Sequence, residues 1–134
     1  MTKTPPMTDE LRKALAKYES HPSFLGDDLV SADQACSDGD TPLHLAAFRG
    51  DVEDARIFLA HGAIIDGIGD MGQTPLHYAA MQGHMPMVEF LVDQGVRLNI
   101  VSEFGDMPEG AAAYGKHDAV GDFLRRRRLG ASQQ

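Results

Sequence analysis

Tryptophan is absent from this 134-residue chain, and cysteine occurs once, as Cys36. A lone cysteine excludes an intrachain disulfide and with it the small stapled scaffolds of secreted proteins. No run approaches the roughly 20 apolar residues that a membrane-spanning helix needs. The first ten residues, MTKTPPMTDE, contain no apolar stretch, so a secretory signal is not expected. A cytoplasmic, soluble protein with no membrane partner is the expectation. Cations are scarce over most of the chain: residues 1–124 carry eight Lys and Arg against all twenty Asp and Glu. That balance of −12 moves to −8 only through the run Arg125–Arg128. Such a chain is not drawn to nucleic acid or anionic membrane, and a basic protein is the favoured partner. Metal-binding spacings of the HExxH or Cys/His type are missing, and the glycines lack the strand–loop–helix context of a phosphate site. No metal, cofactor or catalytic residue is therefore expected.

What the chain does contain is repetition. TPLHLAAFRG at 41–50 returns as TPLHYAAMQG at 74–83. Laid 33 residues apart, 41–73 and 74–106 agree at nine positions: the Thr-Pro-Leu-His, two alanines and Gly50/Gly83 of that phrase, then Gly62/Gly95 and Gly72/Gly105. A catalytic centre is normally built once per domain, whereas a phrase at fixed spacing marks a structural unit. Threonine caps a helix and proline is tolerated at its first position, so each Thr-Pro predicts a helix start. The alanine pairs keep that helix thin. Gly50 and Gly83 fit its end, where a left-handed residue is needed. A second helix follows, apolar at Ala55, Ile57 and Phe58 in one copy and at Val88, Phe90 and Leu91 in the other. It ends at Gly62 or Gly95, and a short extended piece with a glycine-containing turn leads to the next Thr-Pro.

The pattern fades outward. From Met107 the register keeps Pro108, Ala112, Ala113, His117, Val120 and Leu124, while Lys116 replaces the glycine. Asp106 is a candidate cap for the helix that starts there. Upstream, Leu11, Ala14, Leu15 and Tyr18 have helical spacing behind Thr8, a candidate N-cap. Phe24 and Leu25 align with Ile57 and Phe58 of the next unit. Residues 8–40 thus read as a divergent first unit or at least a helical cap, 41–73 and 74–106 as full units, and 107–129 as a C-terminal cap. Residues 1–7 and 130–134 read as tails.

Helix, turn, helix and finger every 33 residues resembles the ankyrin repeat, whose period and T-P-L-H-x-A phrase these are. The resemblance implies an all-α solenoid of about four helix-turn-helix units with short hairpin or turn fingers. It also implies a structural role for His44 and His77, hydrogen-bonded near the threonine of their own turn. Function, by the same resemblance, is protein–protein interaction through the finger tips and the exposed face of each first helix. In this chain those positions are Asp38, Asp40, Ile68, Asp70, Met71, Gln73, Glu103, Phe104 and Asp106 on the fingers. On the first helices they are Phe48, Arg49, Met81, Gln82 and Tyr114. Many ankyrin repeats carry Asp three residues before the finger glycine; here Cys36, Gly69 and Ser102 stand there, which puts the finger shape in question.

Large apolar side chains with an acidic rim are what a protein-binding hot spot is built from, and acids steer a basic partner. A non-enzymatic binder, monomeric when free, is the expectation. Size and charge suggest an inhibitor or immunity protein that neutralises a toxin. The alternatives are a regulatory adaptor, or a nucleic-acid-associated regulator working through Arg125–Arg128. For that arginine run the plainer reading is a set of cations that complement the last helix dipole and keep the terminal face soluble.

Overall fold

The thin, alanine-rich helices predicted after each Thr-Pro form three successive layers in a computed structural model, which describes residues 8–19 and 31–132. Seven α-helices are present among those residues. In chain order they are α1 (Asp9–Ala16), α2 (Pro42–Arg49), α3 (Val52–Ala60), α4 (Pro75–Met81), α5 (Met85–Asp93), α6 (Pro108–Tyr114) and α7 (Asp118–Ser132). Helices α2, α4 and α6 pack side by side as an inner row. Each turns back into its own second helix, pairing α2 with α3, α4 with α5 and α6 with α7. The alanine pairs Ala46–Ala47 and Ala79–Ala80 are buried, whereas in the last unit Ala112 is buried and Ala113, the equivalent of Ala47 and Ala80, is exposed. Substituting a larger residue at the buried alanines would force the rows apart in an interior packed to crystal density.

Stacking supplies the core that no single layer could provide. Leu43, Phe58, Leu76, Met87, Leu91 and Leu124 are essentially inaccessible, and each side chain of this kind gains about 1.5–3 kcal/mol from burial. Helix α1 packs on α3. It therefore sits beside the second helix of the next unit, in the outer row. Asp54, buried on α3, explains the docking. It accepts hydrogen bonds from Tyr18 Oη and Lys17 Nζ, both at 2.9 Å. The Tyr18 ring meets Phe58 edge-on, with centroids 5.7 Å apart. Thr8 caps α1 by accepting from the Leu11 amide. Phe24 and Leu25 lie outside the described residues, as do residues 1–7.

The fingers are turns without strands among the described residues. All three close in the same way. The first residue donates from its amide to the carbonyl four residues on, Cys36 to Asp40, Gly69 to Gln73 and Ser102 to Asp106. Each finger glycine then donates back to that first residue's carbonyl. The same pair of backbone bonds thus closes every finger although Cys36, Gly69 and Ser102 replace the usual aspartate. The last helix runs on to Ser132. The arginine run consequently lies within the helix rather than in its last turn. Asp106 does not cap α6: Met107 holds the cap position and no side chain fills that role.

Candidate functional site

Two registers of the repeat converge on the inner side of the stack. The first-helix positions Phe48, Met81 and Tyr114 recur every 33 residues, and so do the finger positions Met71 and Phe104. Phe48, Met71, Phe104 and Tyr114 are exposed, Tyr114 at 79% and Phe104 at 62%. Phe48 nevertheless has a structural contact, meeting the Tyr78 ring edge-on at 6.1 Å. Arg49 is likewise anchored, its guanidinium 4.8 Å above the Tyr18 ring. Ile68, Asp38, Asp70 and Glu103 are open to solvent at the turns, while Met81, Gln82 and Asp106 are half-buried.

Two expected surface positions are corrected. Asp40 and Gln73 are buried, at 7% and 6% exposure. Residues 40, 73 and 106 stand just before each Thr or its equivalent, and that position turns inward. Asp40 is drawn in by Tyr78, whose hydroxyl donates to its carboxylate at 3.0 Å, and by the Asp70 amide at 2.9 Å. Burial, with the Asp40 carboxylate close by, pushes the Tyr78 phenol well above its ordinary value. Leu45 and Ala111 stand at the equivalent positions in the other units, so this link belongs to the second layer alone.

A groove of about 480 Å³ opens between the third finger, α4 and α6. Five residues expected from the sequence line it: Gln73, Met81, Phe104, Asp106 and Tyr114. His77, Ser102 and Ala111 complete the wall and were not anticipated. Only the groove floor could have shown them, because it combines three units that the sequence separates. Ser102 Oγ accepts from the Phe104 amide at 3.2 Å, which helps hold the finger against the groove. Gln73 Oε1 is buried with no hydrogen-bond partner. A buried carbonyl oxygen left unpaired costs about 1–3 kcal/mol and calls for an explanation.

His44 and His77 make the contacts the resemblance implies. Nδ1 of each accepts from the amide of its own threonine, Thr41 or Thr74, at 3.1 Å. Nε2 of His44 faces the carbonyls of Gly67 (2.9 Å) and Gln73 (3.1 Å), and that of His77 the Asp106 carbonyl (2.8 Å). Carbonyls only accept, so Nε2 carries the proton and the ring is neutral. Burial lowers both imidazole pKa values. Each ring ties a helix start to the following finger. The glycines around Gly69 serve the same purpose: a Cβ there would lie 2.2 Å from Asp40 Oδ1 and 2.8 Å from His44 Nε2. They make room for protein groups.

Among the described residues no group of three or more His, Cys, Asp or Glu is arranged to hold a metal ion. Cys36 is buried. No described helix is long and apolar enough to cross a membrane. In the arginine run, Arg125 pairs with Asp122 at 2.6 Å, Arg127 lies 5.1 Å over the Phe123 ring, and Arg128 reaches Glu109 at 2.6 Å.

The layers, fingers and histidine ties agree with a comparison against known families. A family model described as ankyrin repeats in three copies matches residues 12–102. The chain belongs to the ankyrin repeat family. Its members are generally non-enzymatic, and the repeats indicate a protein–protein interaction module. No curated protein matches the sequence. The family match ends at the start of the third finger and leaves out the layer of α6 and α7, whose first helix opens Met-Pro-Glu-Gly in place of Thr-Pro-Leu-His.

Proposed function

We propose that this ankyrin repeat protein binds a basic protein through the concave side of the stack. Phe104, Met81 and Tyr114 serve as anchors, and Asp38, Asp70 and Glu103 form the acidic rim. The observation that carries the reading is the apolar groove beneath the third finger, rimmed by exposed aromatics and facing solvent. An aromatic side chain left outside a core costs hydration, and such groups are where binding energy concentrates. The acids around them add attraction and specificity toward a cationic surface. Its finer form is an inhibitor or immunity protein that silences a basic toxin by covering it. Size and net charge are what support that form. The Arg125–Arg128 run supports a nucleic-acid role poorly, since three of its four members are engaged with Asp122, Phe123 and Glu109.

The test is capture from the source cell with three baits: the native chain, Asp70→Lys with Phe104→Ala, and Glu89→Lys on the outer row. A cationic protein held by the first and third baits but lost from the second is the expected result. Equal retention or equal loss from the two variant baits overturns the reading.

A further inference from the structure

The geometry points to the groove beneath the third finger as a receptor for one arginine side chain of the partner. This rests on the concave-face reading and names the chemistry that the face recognises. Gln73 Oε1 is buried and unpaired, and its side chain lines the groove. An orphaned acceptor there is satisfied by an incoming donor. Asp106, half-buried and carrying a carboxylate, lines the same groove. Two neighbouring groups are already engaged: His77 Nε2 donates to the Asp106 carbonyl and Ser102 Oγ accepts from the Phe104 amide. The one buried group left unpaired in the groove is thus an acceptor, Gln73 Oε1, and the Asp106 carboxylate beside it adds negative charge.

The rest of the lining is largely apolar, with Met81 and Ala111 beside the exposed Phe104 and Tyr114. A guanidinium fits such a lining better than an ammonium. Its planar fork presents five donors, enough for an amide oxygen and a carboxylate together, and it stacks on aromatic rings. It is also less strongly hydrated than an ammonium, so entering an apolar groove costs it less. An acidic or purely apolar side chain would leave Gln73 Oε1 unsatisfied. A groove of about 480 Å³ has room for one long side chain.

The experiment uses the full chain and four blocked tripeptides, N-acetyl-Gly-Xaa-Gly-amide, with Xaa as arginine, lysine, citrulline or norleucine. Binding is followed by amide NMR shifts, including the Gln73 side-chain amide and the Tyr114 ring. The arginine peptide is expected to shift these signals at the lowest concentration, ahead of lysine. Citrulline, which has the shape without the charge, and norleucine are expected to bind at least about tenfold more weakly, as loss of a charged hydrogen bond implies. Gln73→Met, which keeps the volume and removes the acceptor, is expected to erase the preference of arginine over norleucine. Its fold is checked by thermal melting, and the native chain's peptide ranking stands by itself if that variant unfolds. Equal binding of norleucine and arginine, shifts confined to other surfaces, or an unchanged arginine preference in Gln73→Met would each overturn the assignment. A concave-face partner still captured in the earlier experiment would then show that the broader reading survives without it.

Discussion

Lys116 carries a small, removable penalty. It stands where Gly50 and Gly83 stand in the earlier units, after the first helix, and it adopts the same left-handed backbone with φ of 64°. An L side chain in that region costs about 1–2 kcal/mol relative to glycine. Gly83, with φ of 75°, shows the opposite constraint, since a Cβ there would lie 2.4 Å from Nδ1 of His117. Lys116→Gly is expected to stabilise the protein by about 1 kcal/mol, less whatever the added freedom of the unfolded chain takes back. Gly83→Ala is expected to destabilise by about 2 kcal/mol or more, because backbone strain and the displaced histidine add. Urea unfolding of both variants checks the pair. A destabilised Lys116→Gly would show that the lysine side chain makes a compensating contact.

At the scale of helices and fingers, the two neutral histidines link stability to pH. Both imidazoles have folded-state pKa values lowered from 6.5 by burial. Above that value both folded and unfolded chains hold neutral rings, and the stabilising bonds are complete. As pH falls below about 6.5 the unfolded chain takes up protons that the folded chain refuses, so stability declines until the folded pKa is reached. Each ring contributes up to ~1.4 kcal/mol per pH unit within that window. The urea midpoint is expected to drop between pH 7.5 and 5.5. In His77→Gln, though less stable overall, the drop is expected to shrink. An unchanged pH dependence in that variant would mean other groups carry it.

Much at this scale was legible in the sequence, for local reasons. Thr-Pro marks a helix start by its own chemistry, and nine matches at one period repeat the inference. Burial at positions 40, 54 and 73 was not legible. Asp40 is held by Tyr78 and Asp54 by Tyr18, partners 38 and 36 residues away. Such pairings appear only once the layers stack. The register of α1 was hidden for a similar reason. Its apolar spacing shows a helix with one buried face, yet only the packing against α3 says which row that face joins.

Over the whole molecule the charges are segregated, with a net −12 before residue 125 and four arginines immediately after. Deleting the arginine run is a poor test of its role, because Arg128 pairs with Glu109 and α7 continues beyond it to Ser132. Arg126 is a cleaner probe, exposed on that helix. For a basic partner docking on the acidic concave side, Arg126 adds repulsion to the encounter. Arg126→Glu is then expected to raise the association rate about two- to threefold at low salt and leave the dissociation rate unchanged, since a remote charge acts on steering. The gain should fade near 0.15 M salt and above, where the screening length is about 8 Å or less. Stopped-flow mixing with the captured partner at several ionic strengths measures both rates. A nucleic-acid partner bound through the arginines predicts the opposite sign, a slower encounter and weaker binding. A decrease on Arg126→Glu would therefore move the binding surface from the fingers to α7.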